Sequence, residues 1–268
     1  MLLALASACG HQPPPESRVL SDLAEPPRPV LVVLSAANEQ TLADGRVRQT
    51  GFFLGEFYEV KRALDGAGVP YVLATVGGAR PALDPESVHP KYWEAHPQWR
   101  EEAIAWFENA DEVAAPQTLA SAAEDPSAFS GIVVPGGQGV MTDLLHDEDL
   151  HHLVTALGRA QRPVGLVCHA PALLGHLPPE QSPFEGRRVT SVSGFEEVYI
   201  ERKVMGAKAT DRRIGRQLRR AGLRYRAAFP GTAHAVRDRN LITSQNPFSG
   251  DAFVELYLDA LLESLSLS

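Results

Sequence analysis

The sequence has few cysteines, no long apolar run and no excess of positive charge, and each absence excludes a class of protein. Its 268 residues include two cysteines, Cys9 and Cys168, which excludes a disulfide scaffold. No internal apolar run is long enough to span a bilayer. The formal net charge of −8 suggests neither a nucleic-acid partner nor a basic membrane-binding face. The histidines lack ligand spacing, so no metal site is predicted.

The first ten residues, MLLALASACG, are apolar and small up to Cys9. They are typical of the end of a bacterial lipoprotein signal, in which Cys9 would be lipidated and become the mature N-terminus. We therefore predict a signal and a Pro-rich tether over residues 1–28, on the periplasmic side of the cell envelope, with a lipid anchor as the membrane contact. The alternative is a cytoplasmic protein with a disordered N-terminus, because no Lys or Arg precedes the apolar stretch.

Residues 29–268 alternate between apolar runs and helical patterns, and we interpret them as one domain. Strands are predicted at residues 29–35, 69–75, 131–134, 163–167, 190–193 and 240–247. Helices are predicted at residues 51–66, 99–109, 150–160, 211–221 and 252–265. This alternation predicts an α/β fold, a three-layer sandwich around a mostly parallel, flavodoxin-like sheet. The polar stretch at about residues 81–130 is interpreted as an insertion.

Cys168 is the most informative residue, because an apolar strand runs directly into it and an Ala/Leu-rich helix is predicted to follow. This pattern is typical of a nucleophile elbow. The N-terminus of the next helix would favour the thiolate, which is the nucleophilic form. The alternative is a small buried apolar residue at the end of a strand.

Other candidates lie at strand or helix ends that the predicted sheet brings to one edge. The loop of Gly136, Gly137 and Gln138 follows a strand, and its N–H groups could approach an oxyanion, although a plain tight turn has the same pattern. Glu56 is near the start of the first predicted helix, where a solvated carboxylate is the ordinary alternative. His169 is a candidate base or only a capping residue, and as a base it needs a third group to orient it.

Several ordered motifs resemble those of the PfpI/ThiJ-type superfamily, whose fold is related to class I glutamine amidotransferases, and within it the heat-shock chaperone and glyoxalase III branch. The matching stretches are residues 50–56 (TGFFLGE), 134–139 (VPGGQG), 167–172 (VCHAPA) and 241–247 (LITSQNP), together with Gly77-Gly78 followed by residues 83–87 (LDPES). The resemblance extends from about Pro29 to the C-terminus.

The resemblance implies a role for each site residue. Cys168 would be the nucleophile, His169 its partner, and Glu56 the acid that hydrogen-bonds the sulfur. The third position of the triad is acidic in this branch, which favours Glu197, with Glu196 as the rival. Two residues depart from the branch pattern: Gln138 replaces a histidine and Ala170 replaces a glycine.

The resemblance further implies a homodimer that needs no cofactor and acts on small reactive carbonyls. The expected reaction converts methylglyoxal to lactate without glutathione, with the substrate oxygen near Gly136, Gly137, Gln138 and the backbone N–H of His169. One alternative is amide hydrolysis by a cysteine peptidase or deglycase, which requires the triad. The other is a non-enzymatic holdase chaperone or redox sensor.

Overall fold

The computed structural model describes residues 27–180 and 182–266, so Cys9 and most of the predicted signal and tether lie outside the described residues. Its strands are β1 (Val30–Val33), β2 (Glu39–Thr41), β3 (Val47–Gln49), β4 (Tyr71–Thr75), β5 (Gln117–Thr118), β6 (Gly131–Val134), β7 (Val164–Val167), β8 (Arg188–Val189), β9 (Arg224–Tyr225), β10 (Ala235–Asp238) and β11 (Leu241–Ser244). Its helices are α1 (Leu54–Ala67), α2 (Pro97–Asn109), α3 (Asp111–Ala114), α4 (Leu119–Glu124), α5 (Glu148–Arg159), α6 (Gly194–Ile200), α7 (Ile214–Arg220) and α8 (Gly250–Ser266).

A seven-stranded sheet forms the centre of the fold in the order β10-β11-β7-β6-β1-β4-β5. All neighbouring pairs are parallel except β10 with β11. Every residue of β1, β6, β7 and β11 is buried, as expected for strands covered by helices on both faces. The predicted α/β sandwich with a mostly parallel sheet is therefore confirmed. The carboxyl ends of β6 and β7 are neighbours, which brings the glycine loop close to Cys168.

Several element boundaries differ from the prediction for local reasons. α1 begins at Leu54, because Gly51 lies against the strand-like segment at Ala82, where an added Cβ would be 2.1 Å from the carbonyl oxygen. It ends at Ala67, and the residue that caps it in the left-handed region (φ 69°) is Gly68 and not Gly66. The sequence predicts a strand at residues 190–193, and this prediction is wrong, because the strand of this segment ends at Val189. The strand is β8, and the N–H of Thr190 instead donates to Oγ1 of Thr243 at 2.9 Å.

The stretch at about residues 81–130 contributes to the sheet and to the core. It contains α2, α3 and α4, and β5 pairs with β4 as the edge strand. Val113 and Leu119 are buried in the main core. Within residues 27–180 and 182–266, no helix combines the length and apolar character needed to cross a membrane.

Candidate active site

Cys168 occupies a strained turn directly after β7. Its φ of 59° lies in the left-handed region, which a non-glycine residue adopts only where its surroundings hold it there. Its N–H donates to the carbonyl of Ser244 at 2.9 Å, and its carbonyl accepts the N–H of Val192 at 2.9 Å. A 3-10 helix, Ala170–Gly175, follows. This is the strand–turn–helix elbow that the sequence predicts, with the thiol at its apex.

The elbow does not lower the pKa of the thiol in the way we expected. The following helix is only six residues long and is of the 3-10 type, so it offers a small dipole. The Cys168 side chain is almost completely buried. Burial, and secondly the Glu56 carboxylate, raise the pKa of the thiol well above its usual value. Formation of the thiolate therefore requires a neighbouring group that accepts the thiol proton, because the short helix alone does not stabilise the charge.

Glu56 lies in the first turn of α1 and is buried against the thiol. Its Oε2 accepts the N–H of Gly136 at 2.7 Å, while its buried Oε1 has no hydrogen-bond partner within the described chain. Burial raises the pKa of this carboxyl group to about 8, although hydrogen bonds from Gly136 and Cys168 act in the opposite direction. Glu56 is thus not a solvated carboxylate. It and Cys168 form a buried pair in which both groups favour the protonated form at neutral pH.

The glycine loop after β6 brings this pair together. A Cβ on Gly136 would lie 2.7 Å from Cβ of Cys168 and 2.8 Å from Oε2 of Glu56, so only glycine fits between them. Gly137 has a φ of 104°, and its N–H lies close enough to the Cys168 sulfur to lower the pKa of the thiol. The loop therefore directs one backbone donor at the reacting sulfur, as an oxyanion-binding loop would.

His169 has a partner at each ring nitrogen. Its Nδ1 is 3.2 Å from Sγ of Cys168, and its Nε2 is 2.8 Å from the side-chain nitrogen of Gln138. Gln138 lines the pocket next to the thiol, but its amide is engaged by His169 and by Gln40. Burial lowers the pKa of His169 to about 4, so the imidazole is neutral at physiological pH.

The predicted triad residue Glu197 does not reach His169. Its Oε1 accepts the backbone N–H groups of Arg213 at 2.7 Å and Ile214 at 3.4 Å, at the start of α7. Helix α6 directs Glu197 towards α7. Its neighbour Glu196 lines the cavity that also contains Cys168. The assignment of Glu197 to the triad is therefore corrected: the group that contacts His169 is the amide of Gln138.

Glu196, the rival candidate, lies beside the cleft but is also engaged elsewhere. It forms a capping box with Ser193 at the start of α6. Its carboxylate also accepts the N–H of Gly231 and the side-chain amides of Gln245 and Asn246 at 2.9–3.0 Å. Burial opposes ionisation, but the hydrogen bonds from Gly231 and Ser193 hold the pKa of Glu196 below its usual value. Glu196 therefore acts on His169 as a nearby negative charge rather than as a hydrogen-bond partner.

The thiol lies where two cavities meet. The smaller, of about 70 Å³, is lined by Cys168, His169, Gln138 and Arg48, among others. The larger, of about 470 Å³, shares Cys168 with it and carries the exposed aromatic residues Phe195, Tyr199 and Phe248. The smaller cavity has room for a few waters, and therefore for a small carbonyl compound. The larger cavity opens the site to bulkier molecules.

Sequence reasoning missed Arg48 and Gln40, which lie on the hairpin of β2 and β3. Nη2 of Arg48 is 3.7 Å from Oδ1 of Asp84, and its Nη1 donates to Oε1 of Gln40 at 3.5 Å. Asp84 belongs to a family-like motif, but neither hairpin residue does. The sequence around them is a pair of short polar segments, residues 40–41 and 48–49. Such segments predict neither a buried strand nor a functional site. No group of three potential metal ligands occurs within residues 27–180 and 182–266.

Comparison with known proteins assigns the chain to a family. The model of the DJ-1/PfpI family matches residues 100–260, more than half of the chain. The protein/nucleic acid deglycase HchA of Pseudomonas aeruginosa (strain UCBPP-PA14) is 25% identical over 219 residues, covering 76% of this chain and 70% of the relative. The same-named protein of Escherichia coli O157:H7 (strain EC4115 / EHEC) is 25% identical over 239 residues, covering 86% and 81%. The fold also matches the crystal structure of glyoxalase III from Candida albicans, with a TM-score of 0.69, 22% identity, and coverage of 86% of this chain and 96% of that one. This chain, with its elbow cysteine at the carboxyl edge of a parallel sheet, belongs to the DJ-1/PfpI family.

Proposed function

We propose that this protein is a cysteine-dependent enzyme that converts small 2-oxoaldehydes such as methylglyoxal to hydroxy acids without glutathione or another cofactor. One observation carries the proposal: the Cys168 thiol and the buried Glu56 carboxyl group converge around Gly136 beside a cavity of about 70 Å³. A carboxyl group with a pKa of about 8 is suited to exchange protons with carbon near neutral pH. The glyoxalase III and deglycase names of the relatives support an enzyme of this general class.

The first step is addition of the Cys168 sulfur to the aldehyde carbon. The reacting form is the pair that has lost one of its two protons, as the pKa of about 8 allows near neutral pH. The C–S bond then forms as the carbonyl π bond opens, and the one proton that remains on Cys168 or Glu56 passes to the carbonyl oxygen. The product is a hemithioacetal, and Glu56 is left as a carboxylate. The Gly137 N–H lies near the sulfur and is placed to stabilise the oxygen while it carries negative charge.

The second step is an isomerisation in which Glu56 is the base. It removes the proton from the former aldehyde carbon and returns a proton to the neighbouring carbon, while the hydroxyl proton passes to the oxygen of that neighbouring carbon. The hemithioacetal thereby becomes a thioester of the hydroxy acid. Water then cleaves the thioester, so that one substrate and one water give one hydroxy acid and the free thiol. Electrons balance within the substrate, since one carbon is oxidised and its neighbour is reduced.

The decisive experiment measures lactate from methylglyoxal, without glutathione, for the full chain and its Cys168→Ala and Glu56→Gln variants. We expect turnover by the wild type, complete loss in Cys168→Ala, and a loss of about 10²- to 10⁴-fold in Glu56→Gln. Lys203→Ala, a change of an exposed side chain in the π-helical segment that continues α6, serves as the matched control and should behave as the wild type. A folded wild type without turnover would contradict the proposal.

A second candidate is removal of carbonyl adducts from proteins or nucleic acids, and the specific observation in its favour is the deglycase name of the relatives. The larger cavity of about 470 Å³ supports it by giving bulky substrates access to Cys168. Release of amine from a pre-formed, purified adduct distinguishes it from the first candidate, which acts only on the free aldehyde.

A further inference from the structure

A continuous chain of side-chain hydrogen bonds runs from the hairpin of β2 and β3 to the thiol. Arg48 Nη1 donates to Oε1 of Gln40 at 3.5 Å, and Nε2 of Gln40 donates to Oε1 of Gln138 at 3.1 Å. The Gln138 nitrogen then lies 2.8 Å from Nε2 of His169, whose Nδ1 is 3.2 Å from the Cys168 sulfur. Gln40, Gln138 and His169 are all buried, so bulk water does not compete for the donors and acceptors of these hydrogen bonds.

The guanidinium group of Arg48 fixes the direction of every hydrogen bond in this series. A guanidinium group has donors only, so Gln40 must present its oxygen to Arg48 and its nitrogen to Gln138. Gln138 must then accept with its oxygen, which leaves its nitrogen as the donor to His169. Turning either amide over would place donor against donor.

A ring nitrogen that accepts a hydrogen bond carries no proton. Nε2 of His169 is therefore the bare nitrogen, and the one proton of the neutral imidazole lies on Nδ1, facing the sulfur.

We propose that Arg48, Gln40 and Gln138 are positioning residues that hold His169 in the Nδ1–H tautomer, so that His169 donates a hydrogen bond to the Cys168 sulfur and does not remove its proton. In a catalytic triad an acidic group accepts the ring N–H, which leaves the opposite nitrogen free as a base. Here an amide N–H occupies the place of that acid and reverses the direction. The thiol proton then goes to Glu56 when that carboxyl group is ionised, because Glu56 is the titratable group that hydrogen-bonds the sulfur on its other side.

The charges around His169 agree with this assignment. Burial and the positive charge of Arg48 act against an imidazolium, and Glu196 is the negative group that acts in its favour. The significance of the tautomer for turnover rests on the function proposed above, but the tautomer itself does not, because it can be measured without substrate.

The test is nitrogen-15 NMR of the full chain labelled at histidine, with the His169 signals identified as those lost in His169→Asn. In the wild type we expect a protonated Nδ1 and a bare Nε2 from about pH 5 to about pH 8, since this imidazole remains neutral. In Gln138→Glu the new carboxylate accepts a bond, so the proton should move to Nε2 and the pKa of His169 should rise by about one to three pH units. Gln161→Glu, at the exposed turn after α5, introduces the same charge away from this series of hydrogen bonds. It should leave the tautomer and the pKa of His169 unchanged.

A wild-type His169 protonated at Nε2 overturns the inference whatever the enzyme activity is. The expected tautomer without any turnover of methylglyoxal leaves the inference standing and contradicts only the proposed function. If Gln138→Glu does not fold, Gln40→Leu frees the Gln138 amide to turn over, and an Nε2–H population should appear. If His169 keeps a single Nδ1–H tautomer in both Gln40→Leu and Gln138→Met, the proposal that these residues hold the tautomer is wrong.

Discussion

The carboxylate of Glu197 accepts the backbone N–H of Arg213 at 2.7 Å and thereby ties α6 to the first residues of α7. Arg213 has a φ of 61°, so this bond also holds a non-glycine residue in the left-handed region. Glu197 is thus a structural residue that is engaged at the start of α7.

We predict that Glu197→Ala lowers the free energy of unfolding by about 1–2 kcal/mol, because two backbone donors lose their acceptor. Glu197→Gln retains an oxygen acceptor and should lose less. Both variants should keep kcat/KM for methylglyoxal within about twofold of the wild type. Urea unfolding and lactate assays measure the two effects. A hundredfold loss of activity in a stably folded Glu197→Gln would restore Glu197 to the triad.

The elbow, the glycine loop and the candidate residue Glu56 could be predicted from the sequence, because each is recognised from residues that are adjacent along the chain. An apolar strand followed by Cys168 specifies the turn, and the Gly136-Gly137 pair specifies a loop that only glycine can form so close to another strand. Burial of Glu56 was the part that the first-turn position could not reveal, since a carboxylate there is ordinarily solvated.

The third group at His169 could not be found from sequence spacing, although one signal was present. Ser193 and Glu196 form the S-x-x-E pattern of a capping box, which already assigns the Glu196 carboxylate to the start of α6. Gln40 and Arg48 were beyond reach for another reason. Their strands are three residues long, and only the docking of the hairpin against the end of the sheet brings them to Gln138.

Gly136 is predicted to tolerate no side chain, because it lies between the thiol and Glu56. In Gly136→Ala the new methyl group would meet Cβ of Cys168 and the carbonyl of Val167 at 2.7 Å, which is closer than real contacts allow. We expect loss of about 1–3 kcal/mol of stability together with most of the activity, as the thiol and Glu56 are forced apart. Gly66→Ala is the control, because nothing lies within 4 Å of its Cβ inside α1, and it should raise stability by up to about 1 kcal/mol. Equal effects of the two changes would contradict this account.

Burial of Glu56 makes stability depend on pH in a definite direction. Its pKa rises from 4.5 to about 8 on folding, mainly by desolvation, so the folded state binds a proton that the unfolded chain releases in that window. Its contribution is fully present below about pH 4.5 and is lost as pH rises towards 8, by at most about 1.4 kcal/mol per pH unit. The free energy of unfolding of Glu56→Gln should therefore gain on that of the wild type between about pH 5 and about pH 8. Making the comparison in a Cys168→Ala background removes the titration of the thiol. A difference that is constant with pH would show that Glu56 is ionised in the folded protein.

The two candidate functions place different demands on Phe195, whose ring is 80% exposed at the edge of the larger cavity. A small aldehyde reaches the thiol in the smaller cavity and does not need this ring, so Phe195→Ser should leave methylglyoxal turnover within about twofold. A bulky adduct on a protein would contact it. If the deglycase candidate is correct, kcat/KM for such an adduct should fall about fivefold to thirtyfold, as for a loss of roughly 1–2 kcal/mol of binding energy. Phe229→Ser is the matched control, because that ring is 79% exposed and lines the neighbouring arginine-rich groove, which Phe195 also borders, but does not line the larger cavity. An equal loss in both variants would mean that general surface hydrophobicity, and not the thiol cleft, governs binding of the bulky substrate.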